Sequence, residues 1–363
     1  MSASAHYSVE ALGALTTAFF IGAGVFQVPA GIFSAHRGAV KSMLLGLAVI
    51  VIGSSVSSTT PDLYVQSGAR LLTGVGAAFY FAPGMVVVSN LFGESRSGLV
   101  VGVYNAAFDL GGTVALAAFT PMSATFGWRS PYEVTALLTA AALAENAWVL
   151  RQTEAKMKAE PGAIMRTVGS RQIWRIAIGI LGMAAAYYVA DQFIVEYSES
   201  KLMFGAQSAG LLGSLILAGG IFGGPVGGWV MDRLKHSRMP IVGSVAFTGL
   251  TVALYSYRGS EAIWVNSFLL GFFVSVAYTC AYVVPARTKS IGPRYAPIAI
   301  GMMNSIGILG GAVAAALFSA SVARVGYSES WIAMGVAVVL FIPLLLRINL
   351  GQFRQPATHA QEK

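Results

Sequence analysis

GVYNAAFDLGG at 102–112 and GMMNSIGILGG at 301–311 carry one pattern twice, G-x-x-N-x5-G-G, with Asn304 following Asn105 by 199 residues. A second pattern recurs at nearly the same interval. A glycine closing an apolar run leads into a basic turn at 31–41 and again at 228–238, an offset of 197. Two unrelated patterns sharing one interval imply two homologous halves in parallel, an arrangement in which solute sites lie between the repeats near the bilayer midplane.

The surroundings of these repeats set the solvent. Of 363 residues 56% are hydrophobic and 10% charged, whereas soluble domains carry about 25% charged residues. A membrane-crossing helix needs roughly 20 apolar residues. Uncharged runs of that order recur at 71–93, 110–128, 202–231, 239–257, 262–286 and 295–323. They are too long and too evenly apolar for the alternating segments of a β-barrel. The sequence therefore predicts an all-α integral membrane protein with about eleven spans, near 9–34, 42–58, 62–88, 97–120, 131–150, 173–196, 206–231, 239–257, 261–286, 295–323 and 329–347. The Ser/Thr-rich stretch 54–61 reads as a short outer loop.

Charge tests that division. Cytoplasmic loops are enriched in Lys and Arg; one alternate set of loops holds 18 of the 23 basic residues, the other holds Arg129, Lys201, Arg258 and Arg324, and Arg70 falls inside a span. The expected topology has the N-terminus outside and the C-terminus in the cytoplasm of a cell membrane. All six tryptophans fall near expected helix ends, where their rings suit the headgroup level. The net charge of +8 is then a topology signal, and no nucleic-acid partner is expected. The lone Cys280 excludes an intrachain disulfide, and the four histidines lie in loops or termini, so no metal, haem or other cofactor is expected. No basic leader or signal core precedes the first run. Expected organisation is a five-helix bundle at 1–150, a polar cytoplasmic linker at 151–172, a six-helix bundle at 173–348 and a cytoplasmic tail at 349–363.

These features resemble the major facilitator superfamily of secondary transporters. The family's loop signature G-x-x-x-D-R stands at Gly228, Asp232 and Arg233. Its N-terminal copy keeps Gly31 and Gly38 but has Ala35 in place of the acid and His36 in place of the arginine. Arg70 and Gly74 match an R-x-x-x-G element, and Gly127, Trp128 and Arg129 a characteristic turn. The resemblance implies two six-helix bundles rocking about a central site, with Asp232 and Arg233 as a charge latch at a cytoplasmic gate. This chain aligns with family helices 2 to 12. Loss of the first helix would remove part of the substrate wall, which leaves open an upstream start or a transport-incompetent scaffold or sensor.

An ionisable group at mid-membrane costs roughly 2.5–3.5 kcal/mol on insertion scales, so each one faces protein or water. Arg70 reads as an attractor for a small anionic substrate or as a structural bond to a partner helix. Asp109 sits in a stripe with Gly102, Asn105 and Gly112, yet its repeat mate is Ile308, so packing symmetry does not demand an acid; it is a candidate for proton coupling or substrate contact. Asn105 and Asn304 read as interhelical hydrogen-bonding groups. Tyr187, Asp191 and Gln192, with Tyr188, either clasp a polar solute or form an outer aromatic belt. No G-x-x-x-x-G-K-[ST] loop is present and no span clusters His, Cys or paired acids, so the chain does not read as an enzyme or an ATP-driven pump. The expectation is secondary transport of a small solute by a monomer, by proton-coupled symport or by uniport.

Overall fold

A computed structural model describes residues 9–93, 96–151, 160, 162–234, 237–257 and 261–350. His6, Lys156, Lys158, Lys235, His236, Arg258, Arg354, His359, Lys363 and the tail beyond Leu350 lie outside it. The described residues form helices joined by short turns, without a strand. In order these are α1 (Val9–Val25), α2 (Gln27–Arg37), α3 (Ala39–Thr59), α4 (Leu63–Phe92), α5 (Ser97–Phe126) and α6 (Ser130–Val149). Then follow α7 (Ala163–Val168), α8 (Arg171–Gly179), α9 (Leu181–Leu202), α10 (Ala206–Arg233), α11 (Met239–Leu254), α12 (Ala262–Arg287), α13 (Gly292–Val325), α14 (Tyr327–Leu340) and α15 (Ile342–Leu345).

Each of the eleven apolar runs falls on helix. Among the described residues, eight helices are long and apolar enough to cross a membrane, or nine if the α1–α2 pair is one span. α6 and the 16-residue α11 fall outside that set. α1 and α2 meet at 41° where one span was expected. Pro29, in the first turn of α2, has no N–H to return to Val25, and that lost bond accounts for the bend. The 54–61 stretch is also not all loop. α3 continues to Thr59 because Ser58 and Thr59 donate to the carbonyls of Ser55 and Val56, each at 2.7 Å, and Asp62 caps α4 by accepting from the Val65 N–H at 3.0 Å. The expected polar linker holds a short helix, α7, whose Ala163 and Thr167 are buried.

In lipid, helix association is driven by close packing rather than by water exclusion, so small residues decide who touches whom. α10 reads AGGIFGGPVGGW at 218–229. Adjacent residues on a helix point about 100° apart and every fourth residue shares a face, so the glycine pairs make two ridges. Gly219, Gly223 and Gly227 lie against Phe268, Phe272 and Val276 of α12. Gly220, Gly224 and Gly228 lie against Asp109, Gly102 and Gly98 of α5. α10 therefore joins its own half on one face and the N-terminal half on the other.

Within the N-terminal half α4 packs against α1 and α3, and α3 against α6; in the C-terminal half α12 packs against α10 and α11, α9 against α13, and α11 against α14. Two antiparallel seams join the halves: α5 with α10, and α2 with α13. On the second, Gly31 lies against Pro297 and Ile298, and Gly301 against the Gln27 carbonyl. Both seams are tight at the end where α5 and α13 begin. Toward the other end the first seam loosens: Gly112 faces only the Leu217 side chain, and a Cβ on Gly111 or Gly210 would meet nothing within 4 Å. Beyond Asp109, therefore, α5 and α10 part into a cleft that is closed at the Asp232 end.

Candidate functional site

At the closed end, Asp232 in the last turn of α10 reaches across the seam. Its two carboxylate oxygens accept the backbone N–H groups of Gly98 at 2.9 Å and Leu99 at 2.8 Å. These are among the first N–H groups of α5, which have no partner within their own helix, and Arg96 at the N-cap supplies no side-chain acceptor. A carboxylate there also complements the positive helix N-terminus. The C-terminal half thus caps a helix of the N-terminal half. Arg287, in the last turn of α12, completes the arrangement: its guanidinium pairs with Asp232 and donates to the Ser97 hydroxyl at 3.0 Å and the Met231 carbonyl at 2.9 Å. Arg233, read from the sequence as Asp232's companion, instead lies over the Trp229 ring at 4.2 Å. Gly228 holds the seam close by lying against Gly98 and Leu99.

The repeat places Ala35 where Asp232 stands and Pro297 where Gly98 stands, so the second seam lacks both the acid and one of the two donors it would bind. Arg294 donates to the Ala35 carbonyl at 2.9 Å instead. The latch is one-sided.

Farther along the α5–α10 seam, Asp109 is buried, with 8% of its surface exposed. Its carboxyl rests on Gly220 of α10, and Ser275 of α12 stands nearby. Asn105, one turn earlier, donates to Ser275 at 3.1 Å. Asp109 is therefore held where α5, α10 and α12 converge, across the line between the halves. Asn304 is bound within its own half, accepting from the Tyr282 hydroxyl at 2.5 Å.

On α9, residues 182–186, 189, 190 and 194 are buried, and Tyr187, Tyr188, Asp191 and Gln192 lie on the less buried face. Asp191 and Gln192 are exposed. Tyr187 lies in the field of both Asp191 and Asp109. Tyr188 stacks edge-on with Tyr187 (5.5 Å between centroids) and with Phe20 of α1 (5.6 Å), and covers Gly311. Tyr278 of α12 stacks on Tyr282 at 5.4 Å and lies close to Tyr187 and Tyr188. The structure thus gathers Asp109, Tyr187, Tyr188 and Asp191, and adds Ser275 and Tyr278.

Arg70 is not gathered with them. It donates to the Tyr132 hydroxyl of α6 at 3.1 Å, with its guanidinium 5.0 Å from that ring's centroid. An open hollow of about 570 Å³ beside Arg238, Arg347 and Leu350 contains none of the site residues read from the sequence.

Comparison with known proteins adds ancestry. The Major Facilitator Superfamily model matches residues 1–315. The chain is 23% identical over 365 residues to the inner membrane transport protein YdhP of Escherichia coli O157:H7, covering 97% of this chain and 89% of that one. It is 31% identical over 117 residues to the galactose-proton symporter of Escherichia coli K12, covering 32% of this chain and 25% of that one. Among solved structures, the Escherichia coli fucose:proton symporter FucP superposes with a TM-score of 0.74 at 11% identity, covering 93% of this chain and 90% of that one. The human organic anion transporter MFSD10 gives 0.75 at 16%, covering 92% and 83%.

Proposed function

Since the chain belongs to the Major Facilitator Superfamily and is a multi-pass membrane transport protein, we propose that it carries a small solute by alternating access. In this reading the bundles 1–150 and 173–348 rock about the cleft between them, each chain acting as a monomer. Proton movement on Asp109 or Asp191 drives symport, and uniport is the same cycle without that step. The observation that supports it is the seam: α5 and α10 touch along the Asp232 end and part beyond Asp109. That end also carries most of the basic residues, so we assign it to the cytoplasm, together with the C-terminus. The structure then represents the outward-open state, with the Asp232 latch shut.

Asp109 suits the coupling role for a physical reason. A charged carboxylate held among helices in lipid carries a desolvation penalty that a bound proton removes. Because it touches α10 and α12 while belonging to α5, its charge state bears on whether the halves stay together. Asp109→Asn, which keeps the shape and loses the titration, is expected to abolish pH-gradient-driven uptake into proteoliposomes while leaving the folded, monodisperse protein intact. Undiminished pH-driven uptake by this variant would take Asp109 out of the mechanism.

A further inference from the structure

The electrostatics of the cleft select a class of solute. The cations within spans are committed elsewhere: Arg70 to Tyr132, Arg287 to Asp232 and Ser97, and Arg294 to the Ala35 carbonyl. Beside the parting of the seam stand two carboxylates, the buried Asp109 and the exposed Asp191, and a group of tyrosine rings. Tyr187, Tyr188 and Tyr278 are only partly buried, so ring surface remains to be covered. The cleft opens at the end that carries Asp62, Glu133, Glu196, Glu199, Glu261 and Glu329 against Arg129, Lys201 and Arg324 among the described residues. Charge of one sign at a cleft mouth raises the local concentration of the opposite ion.

From this juxtaposition we propose that the cleft binds an organic cation, an amine or a quaternary onium ion. Asp191 pairs with its charge, and the faces of Tyr187, Tyr188 and Tyr278 cover its apolar groups. Tyrosine faces attract cations through the ring quadrupole, the more strongly where water is excluded, and repel anions for the same reason. The site does not match the small anion that Arg70 suggests from sequence alone, because Arg70 is turned to α6. Two acids also allow a division of labour: Asp191, exposed on α9, meets the solute, while Asp109, beneath Gly220 and Ser275, is left to the proton. This inference rests on the cleft being the solute site of the transport cycle.

The test uses a pair of probes with one shape and opposite charge, tetraphenylphosphonium and tetraphenylborate, on the purified full chain in nanodiscs. Saturable binding of the cation is expected. Asp191→Asn should weaken it at least tenfold, Asp191→Glu should retain it, and Arg70→Gln should leave it unchanged. Retention by Asp191→Glu separates lost charge from lost fold. Binding of tetraphenylborate that disappears in Arg70→Gln, or cation binding indifferent to Asp191→Asn, would overturn the proposal. Proteoliposome flux of the same probes separates this from the transport reading. Cation bound at Asp191 but never carried supports the site and defeats the cycle, whereas carriage of the anion alone keeps the cycle and defeats the site.

Discussion

A carboxylate that accepts two backbone N–H groups and a guanidinium together cannot be replaced even by its own amide. In Asp232→Asn the new NH₂ would face either the Gly98 or the Leu99 N–H, donor against donor, and Arg287 would lose its counter-charge in a place where both side chains are 13% exposed. Removing one member of a well-buried ion pair costs about 3–5 kcal/mol. Spin labels at Arg96 and Leu234, in a Cys280→Ser background, should report a short distance in the parent and a longer, broader one in Asp232→Asn. Arg70→Leu has a different outcome: it removes the hydrogen bond and ring contact to Tyr132 and should cost about 1–2 kcal/mol in thermal stability, with transport preserved. Asp232 was legible because its signature is local, four residues from Gly228. Arg287 was not: in the sequence it is one more basic residue after an apolar run, and its role exists only once α12 ends beside α10. Arg70 was visible as a charge in a span, but its partner lies 62 positions away on another helix.

At the scale of helices, the two glycine ridges of α10 make separable predictions. A Cβ at Gly223 would strike the Phe272 carbonyl inside the C-terminal half, and one at Gly224 would strike the Gly102 carbonyl across the seam. Overpacking of this kind typically costs about 1–3 kcal/mol. Gly223→Ala should therefore lower the melting temperature, because α12 cannot leave its own bundle. Gly224→Ala should instead leave melting nearly unchanged and lengthen the spin-label distance across the closed end, because there the halves can move apart. Of the doubled glycines, sequence reading used only Gly228, and nothing local said that one face would meet α5 and the other α12. Two features ran against local reading. Ser58 and Thr59 prolong α3 by bonding back to their own helix, and Pro29 divides what reads as one apolar run.

The whole molecule is polarised, with basic residues gathered at the closed end and carboxylates at the open one. Single cysteines introduced at Arg166 and Arg347 into the Cys280→Ser background should react with an impermeant reagent from one side of the membrane, and one at Met203 from the other. Labelling of all three from a single side would contradict the assignment of sides. The repeat of Asn105 at Asn304 made the two-part plan legible, since it needs only spacing. Convergence of Asp109 with Ser275 and Tyr187 was not legible, because it depends on three helices from two halves.

One consequence of the one-sided latch concerns time rather than structure. At Gly98, Gly102, Gly224 and Gly228 the α5–α10 contact is backbone against backbone, so few side chains must change rotamer there before the surfaces separate. The α2–α13 contact has lost its acid to Ala35 and one donor to Pro297. On the alternating-access proposal, the dwell time of the shut state then depends on how long Asp232 stays attached to Gly98, Leu99 and Arg287. Single-molecule trajectories of Asp232→Asn should show the closed intervals shortening while the open ones keep their length.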